Sequence, residues 1–406
     1  EGDYQLRELE EPMKRILIVN NNMHIGGVQK ALVNLLCEIH NDYEITLLLF
    51  YAGGELLSKI PEDVKVMAAN APFRCWGMTR SDAGALKDKV VRGFWAAAVR
   101  VLGREAVFSL PYPFQKGLEE EEYDAAISYL HSGPLHMFYG GCNEFVLRCV
   151  NAKKKITFLH CDFEKIHAAS PYNARIYQQF DRIAACSLGC RDSFLRTMPH
   201  LADKTMVVKN CQNFQEVRQM AQREPVVMAS DKLNIVTVAR FGKEKGILCA
   251  IQAISDLGEK ADRLHYYLIG NGAEYAAAEK KILELGLTGT VSLLGALENP
   301  YGYMQAADVL LIPSVSEAAP MVIGEAACLG TPVLTTETSS AREMVEQPGL
   351  GWVCQNTVEG IRNGIESLLS RPDVLKERRE HIRTLAFDNA CARKQFSELI
   401  EQDANS

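Results

Sequence analysis

One grammar occurs twice along this chain and constrains its fold more than any other feature. Lys14 to Asn20 (KRILIVN) is a short, continuous apolar run ending in polar residues, as a parallel strand buried on both faces requires. A loop containing Gly26-Gly27 follows. Val28, Leu32, Leu35, Leu36 and Ile39 then recur at helical spacing on one stripe. Glu44 to Phe50 (EITLLLF) reads as the next strand. Strand, loop, helix, strand is the opening of a doubly wound α/β sheet. The order restarts at Leu233 to Phe241 (LNIVTVARF), with a helix from Ile247 to Leu257, a strand and glycine turn from Leu264 to Gly272, and a helix from Tyr275 to Leu285. Strands are predicted at Val291 to Ala296, Asp308 to Ser314 and Thr331 to Thr336, with a helix from Glu317 to Leu329 before the last. Residues 206–230 read as a linker, and Asp373 to Gln402 as charged helical sequence. A length of 406 residues suits two such domains.

Composition removes several classes. With 47% hydrophobic and 23% charged residues the chain is globular. A net charge of −7 argues against a dedicated nucleic-acid binder. The 12 cysteines are scattered without a CxxC pair, which predicts reduced, mostly buried thiols and a cytoplasmic protein. No apolar run approaches the ~20 residues of a membrane span. The opening EGDYQLRELEEP lacks the basic start and apolar stretch of a signal peptide. One segment departs from the acidic whole. Phe73 to Lys116 carries eight basic residues (Arg74, Arg80, Lys87, Lys89, Arg92, Arg100, Arg104, Lys116) against three acids (Asp82, Asp88, Glu105), interleaved with Trp76, Phe94 and Trp95.

The most specific constellation is Ser314 to Ala326 (SVSEAAPMVIGEA), in which Glu317 and Glu325 are separated by seven residues. With Glu325 on a helix and Glu317 in the loop before it, outward N–H groups and two carboxylates form a site for anionic or polyhydroxyl ligands. Two solvated helix acids are the plain alternative. Arg240-Phe-Gly-Lys-Glu-Lys245-Gly246 directly follows a strand, where α/β folds hold phosphate. Arg240 offers a planar fork of donors and Lys245 a mobile charge, which suits a diphosphate. Gly26-Gly27 and Gly270-Asn271-Gly272 fit close backbone approach to a ligand, but neither matches the GxGxxG fingerprint. His160-Cys161-Asp162-Phe163 ends an apolar run, so His160 and Asp162 either face a crevice together or form a buried histidine and a capping aspartate. A metal set of His160, Cys161, Asp162 and His167 lacks consistent ligand chemistry. There is no GxSxG elbow and no GxxxxGK[ST].

On these residues the chain resembles retaining, nucleotide-sugar-dependent glycosyltransferases of family 4 with the GT-B fold. The family's E-x7-E falls on Glu317 and Glu325, its R-x4-K-G on Arg240, Lys245 and Gly246, its N-terminal glycine loop on Gly26-Gly27, and its acceptor-side histidine segment on His160 to Phe163. The resemblance implies two Rossmann-like, doubly wound α/β domains facing across a cleft. It implies an acceptor-binding domain over 1–212, with a C-terminal helix near 386–406 packing back on it, and a nucleotide-sugar domain over 213–385. It implies that Arg240 and Lys245 neutralise the diphosphate and that Glu325 holds the ribose. Glu317, with the backbone of Ala318, Ala319, Pro320 and Met321, would hold the donor sugar, and His160 would contact it. Asp162 would lie on the acceptor side, and Gly270, Asn271 and Gly272 beside the base. The donor is expected to be a UDP-sugar and the acceptor a glycan or lipid-linked sugar in cell-surface polysaccharide or glycolipid synthesis. No metal or other cofactor is expected, because Arg and Lys serve that purpose.

The chain departs from the pattern at Ala318, where the family commonly has Gly, and at Ala319, where a bulky residue is frequent; this raises a narrowed or altered donor pocket. A non-catalytic nucleotide-sugar-binding homologue supporting an active partner and a sugar-nucleotide epimerase on the same fold are the competing readings. For 73–116 two readings stand: a solvated helical pair with Trp95 in the core, or a face resting on the anionic inner surface of the cell membrane.

Overall fold

The computed structural model describes residues 12–79, 82–108, 118, 121–136 and 138–401. The acidic opening through residue 11, Arg80 and Lys116 lie outside these residues. Seven strands form one sheet: β1 (Arg15–Asn20), β2 (Glu44–Leu49), β3 (Lys65–Ala68), β4 (Tyr123–Ser128), β5 (Ala152–Leu159), β6 (Arg182–Ala185) and β7 (Thr205–Val207), in the order β3-β2-β1-β4-β5-β6-β7. Six form the other: β8 (Leu233–Val238), β9 (Leu264–Ile269), β10 (Val291–Gly295), β11 (Val309–Ile312), β12 (Val333–Thr336) and β13 (Gly351–Cys354), in the order β10-β9-β8-β11-β12-β13. Both follow the 3-2-1-4-5-6 order of the Rossmann fold. The central pairs run parallel, with Val19 opposite Ser128 and Leu310 opposite Val236.

The apolar runs become strands because helices cover both sheet faces. Ile16, Leu17, Ile18 and Val19 are fully buried, as are Val309, Leu310 and Leu311. Helix Ile247–Ser255 buries Ile247, Ala250, Ile251 and Ile254 against the second sheet. Each such large aliphatic side chain contributes ~1.5–3 kcal/mol.

By contact density the chain falls into two compact units. One runs through Phe158 and adds residues 170–184 and the chain from 397, where Lys154 Nζ donates to the Ile400 carbonyl at 2.7 Å. The other comprises residues 159–169 and 185–396 and contains the whole second sheet.

Two expectations change. The predicted linker contains helix Phe214–Arg223, whose N-cap Asn213 accepts from the Glu216 amide at 3.1 Å. Only Val217 and Ala221 of it are buried, too few to show as periodicity, and they pack on the second sheet's helices. The helix expected from Glu317 starts at Met321, because Pro320 takes the N-cap and leaves Glu317 in the loop. In the basic segment, helix Ala71–Gly77 precedes helix Leu86–Phe108, which is interrupted at Gly103 (φ +82°). Trp76 is buried and Trp95 half-buried against it, at 5.7 Å between ring centroids, while Phe94 is 65% exposed. Arg104, counted among the basic residues, is 1% exposed and belongs to the interior.

Candidate functional site

Strand order locates the site. In the second sheet the chain runs outward from β8 through β9 to β10, then returns to the other side of β8 as β11. The loops leaving β8 and β11 therefore diverge at the carboxyl ends of adjacent strands, where α/β sheets bind ligands. These loops are 239–246 and 313–320, the two segments singled out by their chemistry.

Local structure binds the loops to each other. Lys243–Lys245 form a single tight turn that Gly246 ends in the left-handed region (φ +64°). A Cβ at Gly246 would lie 1.9 Å from the Pro313 carbonyl oxygen, so only glycine permits this approach. The Val315 amide donates to the Glu244 carbonyl at 2.8 Å. At this seam Lys245 Nζ lies 2.6 Å from Glu317 Oε1, which also accepts from Ser314 Oγ at 2.7 Å. Both partners are mostly buried, with side chains 23% and 11% exposed. Arg240 is more open and pairs with Glu244 at 2.7 Å. Burial pushes the Glu244 carboxyl up, but hydrogen bonds from its own backbone amide and from Arg240 outweigh this and hold it below the ordinary range.

Other predicted residues lie on the turn that adjoins the β8 loop, on the rest of the β11 loop and on the helix after it. The Gly270 turn presses on the β8 loop: its φ is +139°, and a Cβ there would meet the Ala239 carbonyl at 1.8 Å. Asn271 and Gly272 are exposed, and the Asn271 carbonyl accepts from the Phe241 amide at 2.9 Å. The Ala318 carbonyl accepts from Ser187 Oγ at 2.6 Å. Ala318 has no positive φ, so this backbone does not demand the family's glycine. Ala319 and Pro320 are half-buried, Met321 is buried, and Glu325, on helix Met321–Cys328, is 5% exposed.

The segment after β5 docks on the same loop, where Lys165 Nζ donates to the Val315 carbonyl at 2.9 Å. His160 is half-buried there. For Asp162 the contacts fit the capping alternative. It is buried and accepts from Ser193 Oγ at 2.5 Å and from the Lys165 amide at 3.2 Å, so its carboxylate holds the turn. Among the described residues no group of three or more His, Cys, Asp or Glu could hold a metal.

Several residues of the site were missed from sequence. Asn356, after β13, donates from Nδ2 to the carbonyls of Ser314, Val315 and Glu337 at 3.1–3.3 Å, tying three loops together. Ser339 Oγ donates to the Glu317 carbonyl at 2.9 Å. No local pattern marks either.

Gly26 and Gly27 lie in the first unit, at the end of β1 where helix Gly27–Ile39 begins. Nothing lies within 4 Å of a Cβ built on Gly27, and one on Gly26 meets chiefly the flexible Gln29 side chain. Neither has a positive φ, so the fold itself does not require glycine at either position. The preceding loop is held by His24, with Nδ1 3.2 Å from Glu55 and Nε2 2.9 Å from Asp82. Burial alone would lower the His24 pKa, but the two carboxylates raise it above the ordinary value.

Residues 219–386, a stretch that includes Arg240, Lys245, Glu317 and Glu325, match the family model described as Glycosyl transferases group 1. Amylovoran biosynthesis glycosyltransferase AmsK of Erwinia amylovora is 29% identical over 187 residues, 42% of this chain and 45% of that protein. A putative colanic acid biosynthesis glycosyltransferase, WcaL of Escherichia coli, is 31% identical over 137 residues, 32% of this chain and 34% of that protein. The chain thus spans less than half the length of these relatives. The fold is shared over a longer stretch. The structure of Anabaena Alr3699/HepE in complex with UDP and glucose aligns with a TM-score of 0.66 at 17% identity, covering 95% of this chain and 98% of that one. The two-Rossmann architecture is that of the GT-B glycosyltransferases.

Proposed function

We propose that this protein is a retaining glycosyltransferase that moves a sugar from a UDP-sugar to a glycan or lipid-linked acceptor. The observation that carries the reading is the convergence of Arg240, Lys245 and Glu317 at the switch point of the second sheet. Further support comes from the family match over 219–386, from the structure of Alr3699/HepE with UDP-glucose, and from relatives named for amylovoran and colanic acid biosynthesis.

As the bond from the sugar's anomeric carbon to the β-phosphate oxygen breaks, negative charge grows on the leaving UDP. Arg240 and Lys245 meet that charge, stabilising the transition state more than the ground state. Without donor they are occupied by Glu244 and Glu317. The exposed Arg240–Glu244 pair is worth only ~0–1 kcal/mol, so a diphosphate displaces it at small cost, and at the more buried Lys245–Glu317 pair the phosphate charge takes the carboxylate's place beside the ammonium. Glu317 is then released to accept from sugar hydroxyls, with Ser314 and the backbone of 318–321 around it. Glu325 accepts from the ribose diol, and His160 contacts the sugar. The acceptor hydroxyl adds to the anomeric carbon on the face the phosphate leaves, and its proton passes to the departing phosphate oxygen. With two cations on the diphosphate, the reaction needs no metal. Gly26-Gly27, free of any demand from the fold, leave bare backbone for close ligand approach.

The reading is tested by incubating the metal-free protein with UDP-, GDP- and ADP-sugars and candidate acceptors, and assigning product anomeric configuration by NMR. An α-linked product from an α-linked UDP-sugar is expected. Inverted product, or donor epimerised without transfer, refutes it.

A further inference from the structure

Helix Leu86–Phe108 turns one face inward, burying Val99, Arg104, Val107 and Phe108, and presents an apolar face to solvent. Leu86, Val90, Phe94 and Val101 recur at i, i+4, i+8 and i+15, one side of a helix, and are 77%, 61%, 65% and 81% exposed. Leu102, 64% exposed, extends the stripe. So much contiguous exposed apolar surface on one helix marks an interaction site.

The cations around the stripe narrow the partner. Lys87 lies within it. Along one flank Lys89, Arg92 and Arg100 rim a groove of about 820 Å³, faced by His136 and Phe138 and, among the described residues, without an acidic lining residue. Arg92 is fixed, donating to the Met78 carbonyl with its guanidinium 4.8 Å from the centre of the Phe138 ring. Lys87, Lys89 and Arg100 form no ion pair among the described residues. Of the acids on this helix, Glu105 pairs with Arg175 at 2.5 Å and Asp88 is half-buried. In a chain of net charge −7 this is a local accumulation of uncompensated positive charge beside exposed hydrocarbon.

We propose that this face is a docking surface for an anionic phospholipid bilayer: the Leu86–Val90–Phe94–Val101 stripe enters the headgroup–acyl boundary, and the groove under Lys89, Arg92 and Arg100 receives a lipid phosphate. A bilayer supplies both complementary chemistries at once, hydrocarbon for the stripe and phosphate for its flank. A second copy of the chain satisfies only the first, because pairing the stripes brings like charges together. No helix among the described residues is long and apolar enough to cross a membrane, so the contact is peripheral. The proposal is independent of the transferase reading, and its test needs no activity.

The full chain is floated with vesicles of phosphatidylcholine alone or with 30% phosphatidylglycerol, at 50 and 500 mM salt. Binding to the anionic vesicles that falls steeply with salt is expected, with little binding to phosphatidylcholine. The Lys87→Gln/Lys89→Gln/Arg100→Gln variant should bind roughly 100-fold more weakly, at about fivefold per cation near an anionic surface. Phe94→Ser/Val101→Ser should also lose binding. These side chains are exposed, so far-UV circular dichroism and melting of all variants should match the parent. Absent or equal binding to the two vesicle types, or unchanged binding by folded variants, overturns the proposal. A concentration-dependent dimer abolished by Phe94→Ser/Val101→Ser also overturns it, assigning the face to self-association.

Discussion

The buried Arg104–Glu144 pair gives a sharp quantitative prediction, because both side chains have no solvent exposure. Glu144 Oε1 lies 3.4 Å from Arg104 Nε and accepts from Tyr172 Oη at 3.1 Å, and the Arg104 guanidinium carbon stands 4.4 Å from the centre of the Phe108 ring. The pair ties helix Leu86–Phe108 to helix Cys142–Cys149. Glu144→Gln keeps the shape and removes the negative charge that faces the buried guanidinium. Breaking one side of such a pair costs about 3–5 kcal/mol. Replacing both partners, as Arg104→Met/Glu144→Met, removes both buried charges together, so the double variant should recover most of that loss. Trp76 stacks on Phe108 at 4.2 Å between centroids and reports on this unit, while Trp352 belongs to the other. Urea unfolding followed by tryptophan emission in a Trp352→Phe background isolates the relevant transition. The expected order is parent, double variant close behind, Glu144→Gln well below. A Glu144→Gln loss under 1 kcal/mol, or a double variant less stable than either single one, would refute the argument.

Other outcomes follow from the loops. His24, whose pKa is raised by Asp82 and Glu55, stabilises its loop fully below about pH 6.5; that contribution is lost as pH rises through the raised value, so the protection of amides 22–26 relative to their intrinsic exchange should fall there, and His24→Gln should remove that fall. Gly246→Ala meets both a left-handed backbone, costing ~1–2 kcal/mol, and the Pro313 carbonyl, so nucleotide binding should vanish with a lowered melting temperature. Asn356→Ala removes one amide shared by three carbonyls; at about 0.5–1.5 kcal/mol per hydrogen bond, it should weaken nucleotide affinity severalfold and lower the melting temperature by a few degrees at most.

The doubly wound sheets were legible in the sequence because parallel strands buried on both faces read as unbroken apolar runs, as at Ile16–Val19 and Val309–Ile312. The two central loops were legible because Arg240, Lys245 and Glu317 sit at fixed distances from strand ends, and topology alone then brings those ends together. What sequence spacing could not show is where a side chain turns. Arg104 reads as one cation among eight until Glu144, 40 residues away, is seen beside it. For Asp162 the sequence leaves open a crevice shared with His160 or a capping role, and only the contacts of Ser193 and the Lys165 amide show the carboxylate capping a turn. Asn356 carries no local signal, since its three acceptors come from loops brought close only by sheet order. Helix Phe214–Arg223 was hidden for a related reason, with only two buried residues in ten.

The central claim is that the β8 and β11 loops form a nucleotide-sugar site. Its most direct test is calorimetric titration of the metal-free protein with UDP, GDP, ADP and their sugars, with Lys245→Ala and Glu325→Ala as controls. UDP and a UDP-sugar should bind without metal, and both variants, still folded, should lose at least tenfold in affinity. Well-folded parent protein that binds none of these nucleotides, or variants that bind as tightly as the parent, would contradict it.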